Sequence, residues 1–259
     1  MNDPIKTTLG DGIIRAALER LGASLAPGGD WTKANAEAAE CDRQMRLEQA
    51  KAAWSSFVKR GCLERVVEEL GRSKSASSPE HKRFIGDYCR GFDDVFNRRA
   101  PGMFVSGGTG IGKTSNAVVF CKNAMWDEKF TKTVKTEWGG QVFEHKVPAT
   151  CFYSTSSRLL DRLSDWRNES KERVMAEVRG ADMAVIDDVG FPSDLGKRNG
   201  EVFLLNELLR TKPIGLILQT RLSLSAFEEL FGESCSDIVR RFVKPYTAGC
   251  QSRRTWGAA

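Results

Sequence analysis

The sequence predicts an α/β fold: a central parallel sheet with helices on its faces, preceded by a small helical N-terminal region. Three observations predict it. Short apolar runs at 103–105, 151–153, 183–186 and 214–218 alternate with helical patterns, and that alternation builds a parallel sheet because each strand returns over a helix. A glycine-rich loop at 107–112 lies between the first run and a helix expected at 114–125. The residues at 31–60 are rich in Ala, Glu, Gln, Lys and Arg, a composition that suits helix.

The helical region comes first. Residues 1–30 carry a short amphipathic pattern (Ile13, Ile14, Ala17, Leu18, Leu21) and then a Pro27-Gly28-Gly29 break. A long polar helix follows at 31–60, with a thin apolar stripe of Met45, Leu47, Trp54, Phe57 and Val58. A helix polar on most of its surface is weakly stabilised alone, so it is expected to pack on a partner. Gly61-Cys62 ends it, and Leu63, Val66, Val67 and Leu70 mark a short second helix. The stretch at 72–79 is polar and turn-rich and reads as a linker. Residues 1–75 are therefore expected as one helical domain and 76–259 as the α/β domain. The latter opens with a helix at 80–96 (Phe84, Ile85, Tyr88, Phe92, Phe96), and two β-prone runs around Gly139-Gly140 predict a hairpin at 131–147.

Composition narrows the class. The chain of 259 residues is 41% hydrophobic, enough for a packed soluble core, and carries a net charge of +5. From Arg240 onward there are five basic residues (Arg240, Arg241, Lys244, Arg253, Arg254) and no acids, which is compatible with a nucleic-acid partner or with a merely solvated end. The seven cysteines form no C-x-x-C pair, and only His81 and His145 could assist them, so no zinc framework is expected. Their odd number and the lack of a secretory pattern point to reduced thiols and a cytoplasmic setting. No apolar run approaches a membrane span in length, so no membrane contact is expected.

The strongest signal is Gly107-Gly108-Thr109-Gly110-Ile111-Gly112-Lys113-Thr114, a complete G-x-x-x-x-G-K-[ST] between strand and helix. Glycines let the backbone curl so that N–H groups face a phosphate. The start of the next helix, Lys113-Thr114-Ser115, adds partial positive charge there. Lys113 supplies a mobile cation for the β- and γ-phosphates of ATP, and Thr114 a hydroxyl for Mg²⁺. The second element is Met183-Ala184-Val185-Ile186-Asp187-Asp188, an apolar strand ending in two carboxylates. Asp187 is expected to hold the Mg²⁺ and Asp188 to orient or deprotonate the attacking water. Asp188 is one methylene shorter than the Glu common at such sites, which predicts slow hydrolysis. The alternative is an acidic strand end at a surface turn.

Together, Thr109–Thr114 and Val185-Ile186-Asp187-Asp188-Val189-Gly190 resemble the DnaC/IstB group of AAA+ ATPases. The resemblance runs from about Met103 to the C-terminus and continues more weakly upstream at 39–47, which looks like the helicase-binding segment of DnaC. It implies an AAA+ fold and an ATP-dependent loader of a replicative DnaB-type helicase onto single-stranded DNA. It also implies a sensor 1 polar residue at Gln219 or Thr220, with Thr220 the choice. It implies an arginine finger at Arg241, with Arg240 the alternative, and hence a homo-oligomer or a helicase-bound ring, because such a finger acts on a neighbouring subunit's nucleotide. Arg253 or Arg254 would stand in for the sensor 2 arginine. Within 156–168, Trp166 with Arg162 and Arg167 would contact single-stranded DNA by stacking and backbone pairing; the alternative for Trp166 is a core anchor. Other readings are an IstB-like helper of a transposase on duplex DNA, a small-molecule P-loop kinase, and an adaptor in which ATP is only a structural ligand.

Overall fold

The computed structural model describes residues 31–72, 78–138, 141–165, 171–191, 197–212, 214–250 and 252. The chain opens with α1 (Trp31–Gly61) and α2 (Glu64–Arg72). The amphipathic pattern at 1–30, Trp166, Arg167, Arg253 and Arg254 lie outside the described residues.

Helix α1 ends by a backbone device. Cys62 takes a left-handed φ of 50°, and the Leu63 N–H reaches back to the Val58 carbonyl at 3.0 Å, which satisfies an end carbonyl and turns the chain. The helix packs on its own chain through Ala50 and Phe57, which are buried, whereas Met45 is 43% exposed and leaves the expected stripe. Phe57 and Leu63 share one apolar cluster with Tyr88, Val105 and Tyr153 of the α/β region. Helix α3 (Pro79–Phe96) starts on Ser78, whose side chain accepts from the His81 N–H, with Pro79 fixing the first turn.

Among the described residues the main sheet is parallel and four-stranded. Its strands are β1 (Gly102–Ser106), β4 (Cys151–Thr155), β5 (Met183–Val189) and β6 (Leu216–Thr220), in the order β1-β6-β5-β4. Strands β2 (Lys132–Trp138) and β3 (Gln141–Val147) form the expected hairpin apart from it. Strand β6 starts at Leu216, two residues later than expected, because Gly215 turns at φ 79° and leaves Ile214 43% exposed. The sheet is buried on both faces, so alternate residues feed two apolar layers. Phe104, Ala184, Ile186, Leu216 and Leu218 face one layer; Met103, Val105, Met183, Val185 and Ile217 face the other.

The first layer is covered by α5 (Ser156–Ser164), α6 (Lys171–Gly180), α7 (Arg198–Thr211), α8 (Leu224–Phe231) and α9 (Glu233–Arg240), which contribute Leu159, Val178, Leu208, Phe227 and Val239. The second is covered by α3 and by α4 (Lys113–Trp126), with Tyr88, Phe92, Val118 and Cys121. After α9, Val243 exchanges backbone bonds with Gly102 and Phe104 at 2.9 and 2.8 Å, extending the sheet beside β1. This is the parallel sheet between helix layers, behind a helical N-terminal region, that the sequence predicts. Among the described residues, no helix is long and apolar enough to cross a membrane. All seven cysteines are free thiols.

Candidate nucleotide-binding site

The order of the strands creates the site. Strand β6 lies between β1 and β5, so the loop leaving β1 and the carboxylates ending β5 meet across the C-terminal edge of β6. That edge is where parallel α/β sheets bind ligands. The loop at 107–112 takes positive φ at Gly110 (82°) and Gly112 (96°), a conformation a side chain would strain. Ile111 between them is buried and anchors the loop to the core.

Thr109, Gly110, Gly112, Lys113, Thr114 and Ser115 line one wall of a cleft of about 470 Å³. The Lys113 ammonium folds back over the loop and donates to the Gly107 and Gly108 carbonyls at 2.6 and 2.9 Å. Burial lowers its pKa, while Asp187 and Asp188 oppose that shift.

The rest of the lining is Asp187, Asp188 and Arg221 together with Val66, Glu69 and Leu70 of α2. Asp187 is 2% exposed, and among the described residues three donors reach its carboxylate. Thr114 Oγ1 donates to its Oδ2 at 2.5 Å and the Tyr153 hydroxyl to the same atom at 2.8 Å. The Asp188 N–H donates to Oδ1 at 2.9 Å. Burial raises the Asp187 pKa, partly offset by the bond from Thr114. Burial likewise raises that of Tyr153.

Asp188 differs from its neighbour. It is exposed in an otherwise buried strand, and its backbone sits at φ 52°. The β5–β6 register slips between Ile186 and Val189. A bulge of this kind turns a side chain out of the strand's alternation, here towards the cleft. A non-glycine residue held left-handed costs about 1–3 kcal/mol and persists only where the surroundings enforce it. One enforcing contact is Glu201 of α7. It is 1% exposed, and its carboxylate accepts from the Gly190 N–H at 2.9 Å, just past the bulge.

The donor set fits Mg²⁺. That ion takes one or two carboxylates plus phosphate oxygens and water, in preference to a cage of protein ligands. Thr114 and Asp187 supply a hydroxyl and a carboxylate in contact, at the mouth of the phosphate loop. Among the described residues, no cluster of three or more His, Cys, Asp or Glu could hold a metal ion by itself.

The residues expected at the end of β6 are buried and hydrogen-bonded to neighbouring elements. Thr220 is fully buried; its hydroxyl donates to the Val189 carbonyl at 2.6 Å and accepts from the Leu222 N–H at 3.0 Å. Gln219 is also fully buried and donates to the Tyr88 hydroxyl at 2.8 Å and the Lys113 carbonyl at 3.1 Å. Both brace the strand edge, and Arg221 is the β6 neighbour that lines the cleft. Its guanidinium lies 3.9 Å from the centre of the Phe191 ring. Sequence reasoning missed Arg221, Tyr153 and the α2 face. Only Arg221 had a signal, being a cation three residues past a predicted strand.

Of the other expected residues that are described, Arg162, Arg240 and Arg241 do not line the cleft. Arg240 pairs with Glu228 at 2.6 Å and Asp237 at 2.7 Å. Arg241 caps α9 and is exposed, and among the described residues its side chain has no hydrogen-bond or ion-pair partner. Arg162 of α5 donates to Glu177 of α6 at 3.0 Å.

No family model matches the chain, and no curated protein matches it. Solved structures do resemble it. One is the DnaC helicase loader, at 15% identity over 67% of this chain and 94% of that chain, with a TM-score of 0.48. Another is domain III of the replication initiation protein DnaA from Thermotoga maritima, at 16% identity over 66% and 63%, with a TM-score of 0.45. A third is DnaI, at 10% identity over 64% and 82%, with a TM-score of 0.42.

Proposed function

We propose that the chain is an ATP-dependent AAA+ loader of a replicative DnaB-type helicase, acting on single-stranded DNA. The observation that carries the nucleotide half of this reading is the Thr114–Asp187 contact, which joins the phosphate loop to the carboxylate strand across β6. The loader half rests on the sequence resemblance to DnaC, upstream at 39–47 and along the α/β region.

In this reading the loop N–H groups at 107–112 and the first turn of α4 bind the phosphates of ATP. Lys113 shifts from the loop carbonyls to phosphate oxygens. Thr114 and Asp187 would hold Mg²⁺, which would supply charge neutralisation beside the phosphates. Asp188, turned towards the cleft by the bulge, positions the attacking water and takes its proton. Arg221, the residue after β6 that lines the cleft, leaves the Phe191 ring to meet charge on the terminal phosphate. Arg241, exposed and without a partner among the described residues, acts on a neighbouring subunit's nucleotide. The helical region to residue 75 engages the helicase, and Trp166, Arg162 and Arg167 engage single-stranded DNA.

The test is ATP turnover with and without single-stranded DNA, followed by co-elution with a DnaB-type helicase. Turnover that responds to single-stranded DNA, together with a stable helicase complex, is expected. Preference for duplex DNA with no helicase binding would replace this reading by the transposase-helper one. Trp166→Ala is expected to weaken single-stranded DNA binding by roughly 1–3 kcal/mol while nucleotide affinity holds, measured by anisotropy. Unchanged DNA affinity would remove Trp166 from the interface.

A further inference from the structure

We propose that Tyr153 is a positioning residue that links the seat of helix α1 to the Asp187 carboxylate. This deepens the Mg²⁺–ATP reading above and rests on it. Tyr153 belongs to β4, a strand that contributes no residue to the two nucleotide motifs. Its ring is buried and has two neighbours of opposite kind. At the hydroxyl end it donates to Asp187 Oδ2 at 2.8 Å, the oxygen that also accepts from Thr114. Along its edge it meets Phe57 of α1, with ring centres 6.4 Å apart and planes at 66°. Phe57 in turn stacks on Trp54 one turn earlier, at 5.6 Å. The end of α1 closes on the same ring, because a Cβ at Gly61 would stand 3.1 Å from Tyr153 Cδ1.

The geometry makes the link mechanical. Interiors packed at crystal density transmit small displacements, and a hydroxyl bond at 2.8 Å weakens steeply once its partners part or tilt. A shift of α1 that carries Phe57 with it moves the Tyr153 ring, and with it one of the two hydroxyl donors that fix the Asp187 oxygen. Groups of this kind, which orient a metal ligand without touching the metal, typically alter metal affinity by about 10–100-fold when removed. The coupling runs both ways, since a site that reads the position of α1 also biases it. What α1 grips is thereby able to set how tightly Mg²⁺ is held beside the phosphates, through one side chain.

The experiment uses the full chain and a fluorescent ATP analogue, with affinity measured across a Mg²⁺ titration and again in EDTA, for wild type, Tyr153→Phe and Phe57→Leu. Amide hydrogen exchange over residues 54–61 is recorded with and without Mg²⁺ and nucleotide. Tyr153→Phe keeps the ring and its packing and removes only the hydroxyl. It is expected to raise the Mg²⁺ midpoint by about 10-fold or more, to leave EDTA affinity unchanged, and to abolish the exchange response of α1. Phe57→Leu is expected to move the Mg²⁺ midpoint in the same direction, although it lies outside the cleft. A merely structural hydroxyl would change melting but not the midpoint, so equal midpoints and an intact exchange response in Tyr153→Phe overturn the proposal. Failure of the wild type to bind nucleotide at all would instead overturn the ATP reading beneath it.

Discussion

The two walls of the cleft are made differently. One wall is continuous in sequence, running from Thr109 to Ser115. The other is assembled from α2, the end of β5 and the residue after β6. The first wall is a local object: glycines at φ 82° and 96° and a helix start would make a phosphate cradle in many folds. The second exists only because β6 lies between β1 and β5. The difference teaches where nucleotide binding and nucleotide response reside. Under the proposed reading, binding would belong to the continuous wall, and discrimination and coupling to the assembled one.

Substitutions can break that contrast. The largest effect is expected at Lys113. Lys113→Ala removes the only side-chain cation of the continuous wall and should cost about 3 kcal/mol, or roughly 100-fold in ATP affinity by calorimetry. Unchanged affinity would mean that the loop does not hold phosphate. On the assembled wall, Asp188→Asn should lower turnover by roughly 100-fold or more while ATP affinity holds. Its melting temperature should match wild type, because Asn tolerates the left-handed backbone at this position. Arg221→Ala should reduce the preference for ATP over ADP by roughly 10-fold, the equivalent of one charge-assisted hydrogen bond. An equal loss for both nucleotides would place Arg221 with the binding wall.

The smallest effect concerns stability, and its sign is specific. The Asp187 pKa is raised by burial. Such a group contributes stability below its unfolded pKa, and that contribution is lost as pH rises through the folded value. At neutral pH Asp187 is therefore a net cost to the fold. Asp187→Asn should raise the melting temperature by about 2–4 °C per kcal/mol recovered. The gain should shrink as the solution is acidified through the raised pKa, and the Mg²⁺ response should disappear. A lower melting temperature at neutral pH would show that the three donors on Asp187 outweigh its burial.

The fold was readable because apolar runs and helical stretches alternate so plainly. The four strands, α1, α3, α4 and the hairpin all lie within a few residues of where the sequence puts them. The start of β6 was not legible, because Ile214 is as apolar as the strand that follows it, and only the turn at Gly215 excludes it. The phosphate loop and the paired carboxylates could be read from spacing, since their chemistry is written in consecutive residues. Tyr153 could not, because an aromatic in a predicted strand looks like core, and its hydroxyl meets Asp187 across 34 positions of sequence. Gln219 and Thr220 show the converse. Polar residues at a strand end look available for chemistry, yet the Thr220 hydroxyl and the Gln219 amide nitrogen brace β6 against α3, α4 and β5. Nor did the sequence tell that the polar helix α1 finds its partner in its own chain.

The central claim is that the two walls close around one Mg²⁺–ATP. The most direct test is calorimetric titration of ATP into the full chain, with Mg²⁺ and then with EDTA. One site per chain, tightened by Mg²⁺ and weakened roughly 100-fold in Lys113→Ala, is the result expected. No binding in either condition, or binding indifferent to both Mg²⁺ and Lys113, would contradict it.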